Sequence, residues 1–437
     1  MKRSTFKTAA VAAGTVALVA ALAACAPAAQ EPAAAPSGGE SDAPAAAAPA
    51  ETPEPDSFGV VVAESWKDIY PNEYQTYMAN ESNSPQGKQD YLTEYPELVT
   101  MYAGYGFAKG YDEAAGHPYS LQSVAETPRV NENTLANCIT CKTPQYTAMV
   151  NSEGDSAYQK PFAEVLMQMT EPISCYNCHE NDPTKTTVTQ KFFVNSMGSD
   201  VDKVSTDSQV CGQCHNEYYF DGETKATTNP YTGLDQMTPD AILAYYDERN
   251  FKDWNHADTF APMIKVQHPE FETMHGGEQS PMAKAGYGCS DCHMAPAEGA
   301  NGEYTSHNWV SPLENKQLIE NDCSKCHDDL EKKVKDIQAS EEERVTAISE
   351  KIEDMTNKIA AKYADEIAAM KAANEAKTDI PAASEELAKL QKLQRNAQFY
   401  WDFVMVENSE GAHNSKLTNE TLDKAEAAAD EALAMLA

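Results

Sequence analysis

The 437-residue sequence predicts a mainly α protein: a compact region over residues 58–327, then a run of long helices over 328–437. Three observations lead there. Residues 60–327 hold neither a period of two nor one of 3.6, and Pro, Asn, Asp and Gly punctuate them at short intervals, so side chains alone do not define that core. Ten of the eleven cysteines fall in this same stretch as five Cys-x-x-Cys pairs. After His327 the composition turns to Glu, Lys, Ala and Gln, with apolar residues three or four apart.

At the N-terminus Lys2, Arg3 and Lys7 precede an apolar run, Thr8 to Ala24, which is short for a membrane span and suited to a signal peptide. The run ends Leu22-Ala23-Ala24-Cys25, a lipobox-like pattern in which Cys25 is acylated and begins the mature chain. Residues 1–24 are therefore expected to be a lipoprotein signal peptide. Residues 25–57 are dominated by Ala, Pro, Glu, Ser and Gly and have no aromatic side chain, so they are expected to form a disordered linker. Lipid and tether together place the folded part outside the cytoplasm, anchored to a membrane at the cell surface or in the periplasm.

Lys plus Arg number 33 against 68 Asp plus Glu, a formal charge of -35, which excludes nucleic acid as a natural partner. Loss of residues 1–24 removes Lys2, Arg3 and Lys7 and no acid, leaving -38.

The cysteine pairs carry the chemistry of the compact region. Cys175/Cys178, Cys211/Cys214, Cys289/Cys292 and Cys323/Cys326 are followed directly by His179, His215, His293 and His327, whereas Cys138/Cys141 is followed by Lys142. Cys-x-x-Cys-His is the attachment pattern of c-type haem: two thiols bind the porphyrin and the next residue is placed under the iron. With 10 His in 437 residues, four such coincidences arise by chance about once in a million. Zinc ribbons do not require His at the next position, and a two-residue disulfide loop is strained, so neither competes well. Haems bound at all five pairs would replace much of the side-chain core of residues 60–327.

Six histidines remain: His117, His256, His268, His275, His307 and His413. Four bis-histidine haems need four of them as distal ligands, and an iron with ligands on both sides moves electrons without binding substrate. The haem at Lys142 is the exception. Its lysine amine can ligate iron once burial and the metal lower its pKa, and a vacant opposite face would make that iron reactive.

The C-terminal helices follow from periodicity. Val334, Ile337, Val345, Ile348, Ile352, Met355, Ile359, Tyr363, Ile367 and Met370 form one apolar stripe on a long helix, with a break suggested by the capping pair Ser340 and Glu343. Pro381 is expected to open a second helix through Val406, and Leu422 to Leu436 a third. A stripe of this length calls for a partner, either another chain or the compact region.

With these motifs in place the chain resembles the pentahaem, ammonia-forming cytochrome c nitrite reductases. One Lys-type site followed by four His-type sites is that family's order, and Cys214-His215-Asn216-Glu217-Tyr218-Tyr219-Phe220 and Lys265-Val266-Gln267-His268-Pro269-Glu270 look like its signatures. The likeness covers residues 60–437. It implies a multihaem cytochrome c fold with five c-type haems and Ca2+, and six-electron reduction of nitrite to ammonium. Lys142 matches the proximal ligand of the active-site haem, and Arg129, Tyr218 and His268 match its distal pocket. Glu217, Tyr218, Lys265 and Gln267 match the calcium site, Tyr218 and Lys265 through backbone carbonyls. His117, His275, His307 and His413 match the distal ligands of the other haems.

The same resemblance implies a homodimer through the C-terminal helices and a membrane quinol-oxidising cytochrome c as electron donor. The chain departs from the family pattern at Glu113-Ala114-Ala115-Gly116, which lacks an Arg beside the Gly-His pair, and near His275, for which His256 is the only nearby substitute. Arg129, Lys265, His268 and Ca2+ are expected to form a local positive funnel for the anion. The alternatives are a non-catalytic multihaem electron carrier, or a multihaem reductase acting on hydroxylamine or sulfite.

Overall fold

In the computed structural model, which describes residues 52–80, 90–113, 115–300 and 302–437, ordered backbone takes hold at Asp56. The expected signal peptide, Cys25 and most of the linker lie outside the described residues. Asp56 Oδ1 accepts from the N–H groups of Phe58 (2.8 Å) and Val60 (3.1 Å), and Oδ2 accepts from Gln145 Nε2 (2.6 Å), so one carboxylate turns the chain and ties it to the body.

The compact region is built from short pieces, as its punctuation predicts. Its helices include α1 (Pro144–Glu153), α2 (Cys175–His179), α3 (Thr206–Gly212), α4 (Pro239–Glu248), α5 (Glu270–His275) and α6 (Cys289–His293). α1 and α4 begin alike, with Thr143 and Thr238 as N-caps and a proline at the first helical position, where a missing N–H costs nothing. Strand content is three two-stranded antiparallel pairs among the described residues: β1 (Tyr219–Phe220) with β2 (Thr227–Thr228), β3 (Trp254–Asn255) with β4 (Pro262–Met263), and β5 (Pro296–Gly299) with β6 (Gly302–Thr305). Tyr219 lies opposite Thr228 and Trp254 opposite Met263.

Four helices close the chain: α7 (Leu330–Lys362), α8 (Ala364–Glu375), α9 (Glu385–Met405) and α10 (Ser415–Leu436). α7 runs unbroken through Ser340 and Glu343; the break falls at Tyr363, whose φ of -113° and ψ of 25° are not helical. Mid-helix, Ser340 and Glu343 find their backbone partners within the helix and do not act as a cap. α9 starts at Glu385, behind the N-cap Ser384, instead of at Pro381. α10 starts seven residues before Leu422 because Asn414 caps it, accepting from Leu417 N at 3.3 Å.

The apolar stripe is buried inside the chain. Val345, Ile348, Ile352, Met355 and Ile359 are at most 1% exposed and pack with Leu387, Leu390, Ala397 and Trp401 of α9 and with Leu422, Ala425, Ala429 and Ala432 of α10. Each such large side chain contributes roughly 1.5–3 kcal/mol. The stripe's partner is therefore the chain's own α9 and α10, together with the short helix Glu97–Met101. Among the described residues no helix is long and apolar enough to cross a membrane.

α9 also grips the segment that follows β3. Gln391 Nε2 donates to the Thr259 carbonyl (2.8 Å), Thr259 Oγ1 donates to Gln394 Oε1 (2.7 Å), and an Arg395 guanidinium N–H donates to the Pro262 carbonyl (2.8 Å). Those contacts set the path of the chain toward residues 265–268.

Candidate multihaem active site

Each Cys-x-x-Cys sits on or against a single helical turn, which brings residues three apart to one face and aims both thiols the same way. In two motifs the residue before the second cysteine also closes the turn: Asn177 Oδ1 accepts from Ser174 N at 3.0 Å and Asp291 Oδ2 from Gly288 N at 2.7 Å. The ten thiols are all free, with no disulfide among them.

The motifs pack on one another in a branched series centred on Cys211 and Cys214. Cys214 is within hydrogen-bonding reach of Cys141, and Cys211 of Cys289. Gln213, between them, donates to the Asn177 carbonyl of the Cys175 motif (2.8 Å) and accepts from Thr189 N and Gln190 N (both 2.9 Å). Gly288 is required where α6 meets α3, since a Cβ there would lie 2.3 Å from Ser208 Oγ. Cys292 in turn feels the Cys323 thiol.

The last motif differs from the other four in exposure. Cys326 is exposed, whereas the other nine thiols, Cys323 among them, are half-buried. The reason lies in the local fold. This motif is a single 3-10 turn, Cys323–Lys325, in which Cys326 N donates to the Cys323 carbonyl (3.1 Å), and the chain then leads directly into α7. Cys326 therefore sits at the rim of the series, where a haem bound through it would face water on its outer side.

The histidines provide a test of whether haem fits. Two imidazoles ligating one iron from opposite sides, each nitrogen about 2.0 Å from the metal, have ring centroids roughly 6.3 Å apart. His179 and His307 are separated by 6.3 Å, His293 and His413 by 6.2 Å, and His117 and His215 by 6.5 Å. His268 also lies 6.3 Å from His215, so His215 stands between two rings. His275 and His327 show no such pairing among the described residues. His275 is 4% exposed, its Nε2 is buried without a hydrogen-bond partner, and it lies beside the Cys289 thiol.

Ligand histidines normally donate Nδ1–H to an acceptor, which leaves Nε2 for the metal. Four do so here: His179 to the Lys185 carbonyl (2.7 Å), His307 to the Thr305 carbonyl (3.0 Å), His293 to the Val310 carbonyl (3.0 Å) and His413 to Glu407 Oε1 (2.6 Å). His256 has no nitrogen to spare. Its Nε2 bonds to the Thr100 carbonyl (2.8 Å), and its Nδ1 accepts from Asp258 N (3.1 Å) and Thr259 N (3.3 Å). It is a buried core histidine, and of the two candidates in that segment only His275 keeps a nitrogen unengaged.

Lys142 ends the turn that follows Cys141 and is pinned through its backbone: its N–H donates to the Ile139 carbonyl (2.9 Å) and its carbonyl accepts from Ser120 Oγ (2.7 Å). Its charge is felt by Cys138, Cys141, His117 and His268, so these groups surround one space. Arg129 lies over the Phe107 ring with Cζ 4.3 Å from the centroid, close enough to draw down the pKa values of Tyr218 and Cys138 against the upward push of burial. Burial lowers His268 to about 4, leaving a neutral imidazole at pH 7.

His268 is positioned through the three residues before it, each held by a different carboxylate. Lys265 N donates to Asp253 (2.8 Å), Val266 N to Asp402 (2.9 Å) and Gln267 N to Glu217 (2.6 Å). Asp402 also accepts from Tyr102 OH (2.6 Å) and the Lys265 ammonium (2.9 Å), both partners of that ion pair being at most 1% exposed. Lys265 therefore does not join a positive funnel: its charge is neutralised and enclosed by Asp402. Asp253 and Asp402 escaped the sequence reading, although an acid inside Tyr400-Trp401-Asp402-Phe403-Val404 is a recognisable sign of a buried polar anchor.

Glu217 is fully buried, accepts from Tyr246 OH at 2.8 Å, and is pushed well above the usual carboxylate range by burial, with Glu272 and Asp253 nearby adding to the effect. A buried carboxylate in acidic company, with the Lys265 carbonyl and the Gln267 amide alongside, is the hard oxygen environment that suits calcium. Glu272 supports it by accepting from Glu217 N at 2.8 Å.

Residues 63–437 match the family model described as cytochrome c552. A cytochrome c-552 of Parabacteroides distasonis is 32% identical over 382 residues, covering 82% of this chain and 73% of the relative. One from Desulfotalea psychrophila is 29% identical over 380 residues, covering 81% and 71%. Among solved structures, the catalytic subunit of a cytochrome c nitrite reductase from Desulfovibrio desulfuricans, described with two calcium sites, superposes with a TM-score of 0.73 at 25% identity over 87% of both chains.

Proposed function

Because the chain belongs to the cytochrome c552 family, we propose that it is an ammonia-forming nitrite reductase with five c-type haems, reducing nitrite at the haem held by Cys138, Cys141 and Lys142. One observation carries the reading: a single one of five attachment motifs replaces its histidine with lysine, and Arg129, Tyr218 and His268 are gathered around that motif.

The reaction consumes six electrons and eight protons for each nitrite converted to ammonium and two waters. The haems, when bound, supply the electrons and an iron face at which nitrogen is reduced. Lys142 would hold the iron of this haem through a neutral amine, which would leave its own charge off the metal. Arg129 binds nitrite's oxygens through its planar N–H groups and balances the negative charge that grows as each N–O bond weakens. Neutral His268 donates a hydrogen bond to the same oxygens and passes on a proton as water leaves. Tyr218, whose phenol stays protonated by burial, is a second proton source. Glu217, Gln267 and the carbonyls of Tyr218 and Lys265 would hold calcium, which would tie the Gln267–His268 backbone to Tyr218.

His117, His275, His307 and His413 complete the ligand sets of the other four haems in this reading, with His117 taking His215 and His268 left for substrate. Attachment at the exposed Cys326 belongs to the same reading and suits a haem at the rim, where electrons from outside would enter. The export signal, acylation at Cys25, a homodimer and a membrane quinol-oxidising cytochrome as donor are further parts of the proposal. A monomeric mass at micromolar concentration would defeat the dimer. The decisive assay is anaerobic turnover of nitrite by the haem-loaded protein with dithionite-reduced dye: stoichiometric ammonium is expected, and its absence would reject the assignment in favour of an electron carrier.

A further inference from the structure

The paired histidines differ in what lies behind them. In the His179/His307 pair both Nδ1 atoms face backbone carbonyls, at 2.7 and 3.0 Å. In the His293/His413 pair one faces the Val310 carbonyl at 3.0 Å and the other a carboxylate, Glu407 Oε1, at 2.6 Å. In the His117/His215 pair His117 Nδ1 is buried without a partner, and His215 Nδ1 faces the Glu270 carboxylate only at the longer distance of 3.8 Å. His268, the other ring beside His215, also has a buried Nδ1 without a partner.

Donation of Nδ1–H to an acceptor pushes electron density through the ring onto Nε2, and a carboxylate does this more than a carbonyl. A richer nitrogen donor stabilises ferric over ferrous iron, so the iron becomes harder to reduce. Glu407 is 3% exposed, and its second oxygen accepts from Ser409 Oγ at 2.5 Å, so its geometry is set by the fold. Ser409 Oγ in turn accepts from His413 N at 2.9 Å, which closes a small ring around the carboxylate.

We infer that Glu407 is a positioning residue that, acting through His413, makes the haem of Cys289, Cys292 and His293 the hardest to reduce of the three paired sites. This rests on the haem reading proposed above.

The test is an optical and EPR-monitored potentiometric titration of the full, haem-loaded protein and of Glu407→Gln, with haem-to-protein ratio measured in both. The substituted amide keeps an acceptor oxygen and loses the charge. The expected result is an upward shift of one low-spin midpoint, the most negative of the paired set, with the others unmoved. Ser409→Ala provides the opposite sign: with the competing donor gone, the same midpoint moves down. An unchanged set of midpoints in both variants, or a uniform shift of every haem, overturns the inference. If the unmodified protein lacks five haems or bis-imidazole signals, the haem reading itself fails, a result recognisable before any variant is made.

Discussion

Arg129 and Glu341 show how much one side chain's surroundings decide. Arg129 is unremarkable as a residue type, yet its charge is felt by Tyr218 and by Cys138 of the lysine motif. Arg129→Ala is expected to lower kcat for nitrite about 10²-fold, as loss of one preorganised donor does. Steady-state ammonium formation checks it, and unchanged turnover would remove Arg129 from the reaction. Glu341, on α7, is 6% exposed and is pushed up to about 8 by burial and by Glu410, Glu342 and Glu407. Its folded form keeps the proton across a range where the unfolded chain has released it, so stability falls as pH rises from the usual carboxylate range toward 8. Glu341→Gln should therefore raise stability at pH 8 by roughly 1–3 kcal/mol and have little effect near pH 4. Denaturant midpoints at the two pH values test this, and an equal effect at both would refute it.

At the scale of elements, the relation between α9 and the segment 259–268 matters most. Four side chains of α9, Gln391, Gln394, Arg395 and Asp402, hold this segment, and the last ends two residues before His268. Asp402→Asn leaves the buried Lys265 ammonium without its counter-charge and is expected to cost about 3–5 kcal/mol. Adding Lys265→Met should recover much of that, because the uncompensated charge is gone. A double-mutant cycle by thermal or denaturant unfolding measures the coupling, and additive effects would show that the pair does not act as a unit. The long helices also show why periodicity alone stops short. The stripe on α7 correctly called for a partner, but the partner proved to be α9 and α10, and the polar first turn of α10 did not register in the pattern.

For the whole molecule, a formal charge of -35 opposes approach of an anion, and the enclosure of Lys265 by Asp402 leaves less local positive charge than the sequence suggested. Screening should then help: kcat/KM for nitrite is expected to rise with ionic strength between about 10 and 150 mM, as the Debye length shrinks from about 30 to 8 Å. Stopped-flow binding across that range decides, and a falling rate would mean that a positive local field dominates.

The attachment cysteines, the residue following each pair, and the lysine exception were legible in the sequence because haem attachment is local: two thiols and a ligand within five consecutive residues need no tertiary context. The amphipathic helix was legible for the same reason, as a period within one element. Burial of the motifs is not local: Cys323-Ser324-Lys325-Cys326-His327 reads like the other three His-type sites, and only the fold leaves Cys326 exposed at the rim. Distal ligation is not local either. His293 and His413 are 120 residues apart in number, and only folding brings their rings to 6.2 Å. Nor does composition distinguish His256 from His275; both are buried, and the difference is that the fold engages both nitrogens of one and leaves Nε2 of the other unpartnered. The sequence by itself thus determined where the five Cys-x-x-Cys pairs lie and which residue follows each. The tertiary structure decided which imidazoles pair and which carboxylates stand behind them, because those depend on hydrogen bonds between segments that share no local pattern.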